Sequence, residues 1–315
     1  MDVRDNMNGK KILKSINKLI TDPTFRFNIV SNAGVYNYLK DEEYLKRKFK
    51  AYMGKELDLN NPKTFNEKMQ WLKLNNRKPQ YTIMADKLKV RSFIAEKIGK
   101  EYLIPYIGSW ENTSEINFEQ LPNSFVIKCN HNSGEGMYIC RDKSELDTGK
   151  WADICSSIKI GLNQDYYRIG REWPYRDIPR KILCEAYMED METKDLRDYK
   201  FFCFNGKVKC FKVDFDRFEN HRANYYDSEG NIMSLGEVIC PPNFDKEIKM
   251  PYNLEMMKSL AEKLSESEAF LRVDFYEVNG KVYFGELTFF PASGFGKFID
   301  DKWDEILGDW IDLEV

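Results

Sequence analysis

Residues 270–294 read FLRVDFYEVNGKVYFGELTFFPASG, and among their aromatic and branched side chains stand Arg272, Asp274, Glu286 and Thr288. Carboxylates held side by side repel each other, and a shared cation removes the repulsion. Oxygen-only ligands suit Mg²⁺, which typically takes one or two carboxylates with waters and substrate phosphates. An arginine on the same face presents a fork for phosphate oxygens. Whether these side chains meet depends on the turn at Asn279-Gly280, because side chains alternate faces along a strand. A two-residue turn pairs Val278 with Lys281 and puts Asp274 and Glu286 on opposite faces. An odd loop, such as three residues with Gly280 left-handed, changes the parity. Arg272, Asp274, Glu286 and Thr288 then share one face, and Leu271, Val273, Phe275, Tyr283 and Leu287 share the other. Lone charges are costly in a core, so the odd loop is the expectation. For the hairpin alone, a solvated salt-bridge patch is an equal alternative.

Other segments offer chemistry for a nucleotide. Lys128 ends the apolar stretch SFVIKCN, just before the small and polar residues HNSGEG. Glycines there let backbone amides approach phosphate, and the lysine supplies a point charge. The loop is neither a P-loop nor a dinucleotide fingerprint, and an ordinary turn is the plain alternative. Lys87, in ADKLKVR, reads on its own as a helix-surface lysine. In LCEAYMED, strand-edge amides near Glu185 could pair with an adenine and an acid could take ribose hydroxyls; a structural strand is the alternative.

These residues need strands and helices to position them. Residues 1 to about 80 look helical and basic: Ile12, Leu13, Ile16, Leu19 and Ile20 fall at helical spacing between Lys10, Lys11, Lys14 and Lys18. EEYLKRKFKAYMG is a second candidate helix. A third follows Asn61-Pro62, with Thr64 as N-cap and Glu67 completing a capping box. Helices packed on the catalytic body, with their lysines in water, are preferred over a basic face resting on a membrane or a phosphorylated carrier. Beyond residue 82, DKLKVRSFIAEKIG and LEMMKSLAEKLSES read as helices. LIPYIGSW, SFVIKCN and KILCEAYM read as strands, and DYKFFCFNGKVKCFKVDFD as a hairpin turning at Asn205-Gly206. The order gives an α+β or α/β layout.

Composition narrows the class. The 315 residues are 42% apolar and 14% aromatic, which indicates a globular chain, and a net charge of −3 argues against a nucleic-acid partner. Seven scattered cysteines lack metal or redox spacing and fit reduced thiols. With no apolar run of about 18 residues and no leader pattern, the expectation is a soluble, cytoplasmic protein.

Taken together, NPKTFNEKMQWLKL, ADKLKVR, FVIKCNHNSGEG, GREWPYRDIPRKILCEAYMED, DYKFFCFNGK and RVDFYEVNGKVYFGELTFFPASGFGKF resemble the TupA-like (teichuronopeptide-synthesis-type) branch of the ATP-grasp superfamily, in order over most of the chain from about residue 40. The resemblance implies an α+β ATP-grasp fold, two subdomains gripping ATP, with an N-terminal helical extension. The expected divisions are 1–80 (helical), 81–182 (Lys128 strand and Gly-containing loop) and 183–315 (adenine hinge and Mg²⁺ site). It implies that Lys87 and Lys128 contact ATP phosphates under a loop containing Ser133, Gly134 and Gly136. Glu185, Ala186 and Met188 would line the adenine, and Asp190 would hold the ribose. Lys200 would face the phosphates, Asp274 and Glu286 would ligate Mg²⁺, and Arg272 would bind the γ-phosphate or an acyl phosphate. Thr288 stands where the family has a metal-binding Asn, and PASG varies the usual Pro-Gly.

The activity so implied is ATP-dependent amide formation through an acyl phosphate, joining an amino acid to a carboxylated sugar, nucleotide- or lipid-linked, in capsule or surface-polysaccharide synthesis. Candidates for the acceptor side are Arg168, Arg171, His221, Arg222 and Ser293. His131 is a candidate phosphate or transition-state contact, with a structural histidine nearly as good a reading, and Arg171 has an ion pair with Asp177 as its alternative. A sugar-nucleotide glycosyltransferase and a catalytically degenerate nucleotide-binding module are the competing functions.

Overall fold

The structure is a computed structural model that describes residues 17–191, 196–216 and 220–313. Most of the first candidate helix lies outside them, although residues 17–21 are helical. The chain forms two compact units, Met1–Pro62 and Lys63–Val315.

The first unit holds α1 (Pro23–Asn32) and α2 (Asp41–Met53). Asp22 caps α1 by accepting from Phe25 N at 2.9 Å, with Pro23 opening the helix. Three acids in the first turn of α2 suit its positive end, and left-handed Gly54 closes it. The Phe27 ring packs against those of Tyr36, Tyr44 and Tyr52. On α2, Lys46 and Arg47 pair with Glu42 and Glu43 one turn back, so these exposed cations already have counter-charges.

The second unit opens with α3 (Phe65–Asn75), where Thr64 and Glu67 make the expected capping box. α4 (Gln80–Ala85) and α5 (Val90–Lys97) follow. A four-stranded antiparallel sheet, ordered β1-β4-β2-β3, contains β1 (Tyr106–Trp110), β2 (Phe125–Cys129), β3 (Tyr138–Cys140) and β4 (Ile182–Ala186). α6 (Thr148–Asn163) buries Ile154 and Ile158 against it, with Phe125, Ile127 and Cys129 from β2. The short α7 (Tyr166–Gly170) leads back towards β4.

A five-stranded antiparallel sheet, ordered β7-β6-β5-β8-β9, contains β5 (Asp198–Phe204), β6 (Lys207–Phe215), β7 (Arg222–Asp227), β8 (Phe270–Val278) and β9 (Lys281–Thr288). α8 (Leu254–Ser265) covers its apolar face, burying Met257, Ala261 and Leu264 in one core with Phe201, Phe211, Val273 and Phe275. α9 (Lys302–Asp309) packs on α3 so closely that a Cβ on Gly308 would lie 2.1 Å from the Lys63 carbonyl oxygen. Segregated helices and antiparallel sheets make this an α+β architecture. Among the described residues no helix is long and apolar enough to cross a membrane.

The β8–β9 turn departs from expectation. Asn279 and Gly280 both have positive φ (51° and 72°), and Val278 pairs with Lys281, so the turn has two residues rather than an odd number. Such a turn matches the twist of the strands and suits Asn-Gly. The parity change lies further along. Asp274 pairs with Glu286 while Phe275 pairs with Phe284, leaving Gly285 as the extra residue of a β-bulge. The face assignment shifts accordingly: Phe284 joins Leu271, Val273, Phe275 and Leu287 in the core, and Tyr283 pairs with half-exposed Tyr276.

Candidate functional site

The bulge places Asp274 directly across from Glu286, and Arg272 across from Thr288. Arg272 bridges the two carboxylates: Nε donates to Asp274 Oδ1 at 2.7 Å, and one terminal nitrogen donates to Asp274 Oδ2 at 2.6 Å and Glu286 Oε1 at 2.8 Å. Thr288 Oγ1 lies 3.4 Å from the same Glu286 oxygen. Burial opposes the Arg272 charge, but Asp274 and Glu286 outweigh it and hold the guanidinium pKa above its ordinary value. Desolvation likewise pushes the Glu286 carboxyl up, yet Arg272, Lys87 and Lys200 together keep it below the usual range.

Lys200, expected at the phosphates, lies opposite Asp274 on the neighbouring strand β5. Its ammonium donates to Asp274 Oδ2 at 2.8 Å and to Asp198, and stands 3.5 Å from Asp214 Oδ2. Desolvation works against this cation, while Asp198 and Asp274 raise its pKa well above normal. In this state Lys200 belongs to the carboxylate network inside the sheet.

Beside the network runs a cleft lined by Lys87, Arg91, Lys128, Tyr175, Glu185 and Glu286, with apolar walls from Val90, Leu103 and Leu287. The segment carrying Lys87 is clamped to the loop after β2. Asp86 Oδ1 accepts from Leu88 N at 2.9 Å and from Asn130 Nδ2 at 2.8 Å, and Lys87 N donates to Asn130 O at 3.1 Å. Lys87 Nζ donates to the Asn132 carbonyl, and burial lowers its pKa although Glu286 pulls the other way. The Glu185 carboxylate accepts from Arg91 and Lys128 at 2.7 Å each. The Ala186 amide donates to Pro105 O at 2.9 Å, and Met188 is half-buried.

In the loop after β2, Gly134 (φ 84°) is exposed and has open space where a side chain would begin, whereas Gly136 (φ 69°) packs against Gly161 of α6. Ser133 hydrogen-bonds Tyr166, whose hydroxyl pKa is raised by burial and then by Glu172 and Glu286. His131 is buried, one ring nitrogen meeting the Gln164 carbonyl at 3.1 Å, and desolvation depresses its pKa towards the neutral form. Its other ring nitrogen, Nδ1, is buried without a hydrogen-bond partner among the described residues. Asp190, expected at a ribose, docks on the β8–β9 hairpin tip. Its Oδ2 accepts from Asn279 N at 2.8 Å, while Asn279 Oδ1 accepts from Met191 N at 3.0 Å.

The acceptor candidates do not all converge. Ser293, left-handed at φ 53°, donates its hydroxyl to Glu172. Arg171 is also left-handed and lies over the Tyr167 ring at 5.4 Å, while Asp177 pairs with Arg176. His221 and Arg222 belong to the β7 side of the sheet, the edge opposite β9. His221 Nε2 is 3.2 Å from Asp214 Oδ1. Asp214, His221 and Cys240 bring their ligand atoms within 4.8 Å of one another. Lys200 and Lys212, at 3.5 and 3.9 Å from Asp214, already neutralise that carboxylate. Asp214 and Asp216 form a D-x-D spacing that the sequence reading overlooked; the structure divides it, with Asp214 buried in the network and Asp216 bound to Lys246 at 2.6 Å.

Sequence reasoning missed Arg91, Asp198, Tyr166, Glu172 and Tyr175. Tyr166, Glu172 and Tyr175 lie in one stretch, DYYRIGREWPY, whose concentration of tyrosines and charges was the available signal.

A family model described as TupA-like ATP-grasp matches residues 67–312. Similar solved structures include a D-alanine–D-alanine ligase from Bacillus anthracis at 16% identity, with 65% of this chain and 57% of that one covered and a TM-score of 0.37. An L-amino acid ligase from Bacillus licheniformis is 13% identical over 73% of this chain and 49% of its own, with a TM-score of 0.41. An N5-carboxyaminoimidazole synthetase from Staphylococcus aureus, complexed with ADP, is 12% identical over 65% and 44%, with a TM-score of 0.39. The chain thus spans about half the length of these structures. No curated protein matches it.

Proposed function

The chain belongs to the TupA-like ATP-grasp family, and from that premise we propose that it is an ATP-dependent carboxylate–amine ligase, joining an amino acid to a carboxylated sugar in capsule or surface-polysaccharide synthesis. The observation that carries the reading is the Asp274–Glu286 pair, opposed by the Gly285 bulge and bridged by Arg272 beside a cleft that contains Lys87 and Lys128.

A carboxylate is a poor acyl donor because its leaving group would be oxide. Transfer of the γ-phosphoryl group of ATP to a substrate carboxylate oxygen yields an acyl phosphate and ADP. The amine then attacks the carbonyl carbon, a C–N bond forms, and phosphate departs with its oxygen. The protein's share of such a reaction is positioning and charge neutralisation. Lys87 and Lys128 are the cations for the phosphates, and Arg272 is the fork for the transferred group. Asp274 and Glu286 form an oxygen-only donor pair that fits Mg²⁺, with Thr288 as a weaker third oxygen. Bound there, Mg²⁺ would neutralise phosphate oxygens. Opening the cleft to ATP requires Lys128 and Arg91 to turn from Glu185 towards the phosphates.

Incubation with ATP, Mg²⁺, an amino-acid panel and uronic-acid acceptors tests the proposal. ADP and phosphate release that needs both organic substrates is the expected result. Sugar transfer from a sugar nucleotide without ATP would replace the reading with a glycosyltransferase. Tight ATP binding with no turnover on any pair would leave a nucleotide-binding module.

A further inference from the structure

The motif FNEKMQWLKL folds as α3, and the proposed chemistry leaves its polar residues without a role. Asn66, Glu67, Gln70 and Lys73 are buried, Gln70 and Lys73 completely; Glu67 serves the capping box, and the other three do not. All three reach loops more than ninety positions away in sequence. Asn66 Nδ2 donates to Gly296 O at 2.9 Å, and Gln70 Nε2 to Gly294 O at 2.5 Å and Ser293 O at 3.3 Å. Lys73 Nζ donates to Ser293 O at 2.7 Å, Gly170 O at 2.7 Å and Gln70 Oε1 at 3.0 Å. The rings of Phe295 and Phe290 lie 4.9 and 5.6 Å from the same ammonium.

A buried lysine is a costly helix residue, since its charge loses water and an apolar side chain of similar length would pack there without that loss. Its three N–H donors are all used, and two go to carbonyls flanking strained turns. Gly170 precedes Arg171 (φ 52°), and Ser293 follows Ala292 (φ 48°) with its own φ at 53°. Non-glycine residues in the left-handed region persist where their surroundings over-determine them. The outcome of these two turns is one contact: Ser293 presents its hydroxyl to Glu172. Glu172 in turn influences Tyr166, which holds Ser133 of the loop after β2, and Tyr175, which lines the cleft.

We propose that Lys73, assisted by Gln70, is a positioning residue for the acceptor side of the site, fastening the 170–172 and 292–294 turns together so that Ser293 and Glu172 meet next to the metal-binding strand β9. The kinetic consequence rests on the ligase reading; the structural consequence does not.

The test compares wild type with Lys73→Met, similar in length and apolar, and with Gln70→Met, which keeps the ammonium should Lys73→Met fail to fold. Three readouts are taken: amide hydrogen exchange by mass spectrometry, ADP·Mg²⁺ binding by calorimetry, and turnover on the substrate pair found in the panel. Exchange should accelerate roughly tenfold or more in 168–175 and 290–296 while β5 and β8 keep their protection. ADP·Mg²⁺ affinity should stay within about twofold, and KM for the acceptor should rise at least about tenfold. Exchange unchanged in both segments would overturn the proposal. So would acceleration spread evenly over the unit, which marks a residue that supports the fold in general. If no panel pair turns over, the ligase reading fails alone, and the exchange pattern still decides the role of Lys73.

Discussion

At the scale of single residues, the two proposed metal ligands are unequal. Asp274 is the common partner of Arg272 and Lys200, two cations with little exposure. Asp274→Asn leaves both facing a neutral amide, and breaking a buried pair from one side costs about 3–5 kcal/mol. Glu286 has a side chain 41% exposed and one ion-pair partner among the described residues, so Glu286→Gln should cost about 0–1 kcal/mol. Both substitutions should reduce turnover below detection, but calorimetry should find a melting temperature lowered by about 10 °C only for Asp274→Asn. Near-native activity in either would remove that residue from the metal site. The pH response follows from Glu286, held below its ordinary 4.5 by Arg272, Lys87 and Lys200 against desolvation. A depressed carboxylate contributes stability that is present above its unfolded value and is lost as pH falls through the folded one. Urea unfolding should therefore show wild type losing stability from about pH 4.5 downwards, and Glu286→Gln losing less over the same window. Equal losses would contradict the assigned charge coupling.

At the scale of elements, the hairpin works through its bulge. A Cβ on Gly285 would meet Asp274 O and the Tyr276 ring, both at 3.1 Å. Deleting Gly285 restores plain alternation, so either Glu286 or the Phe284 set must change face. Turnover should fall at least about a hundredfold, with loss of stability of about 2 kcal/mol or more from misplaced apolar residues; activity and denaturant midpoint check both. A deletion variant with full activity would show that parity is set elsewhere. The sequence made the need for a parity change legible, because the charged and apolar residues could not otherwise separate. Its location was misread. Asn279-Gly280 is a strong two-residue turn signal, and the glycine inside β9 was itself a bulge signal that went unused. The helix α3 was legible at its start through Thr64 and Glu67. Its buried polar side was not, because Gln70 and Lys73 acquire partners only from loops folded against them from far along the chain.

For the whole molecule, turn residues and apolar runs left α+β and α/β both open and passed over β3 and β7, while the ordered set of short motifs carried the family and with it the α+β fold. Contacts across the cleft were not readable, because only the folded chain brings Arg91 and Lys128 to the Glu185 carboxylate. A ligand bridging the cleft stabilises the molecule by mass action, about 2.7 kcal/mol at a hundredfold excess over Kd. ADP with Mg²⁺ should accordingly raise the melting temperature by about 5–10 °C, and ADP with a chelator by less; no shift with either would speak against nucleotide binding. The reciprocal bonds between Asp190–Met191 and Asn279 bear on how such a cleft moves. They button the chain leaving one sheet to the tip of the other. A jaw fastened at one corner swings about that corner and cannot slide. Nucleotide entry should therefore widen the gap most at the end far from Asn279, and Asn279→Gly combined with Asp190→Ala, which removes both bonds, should turn a swinging jaw into a drifting one, read as faster amide exchange in 188–191 and 278–281; Asn279→Gly alone keeps the backbone bond to Asp190 and should loosen it less.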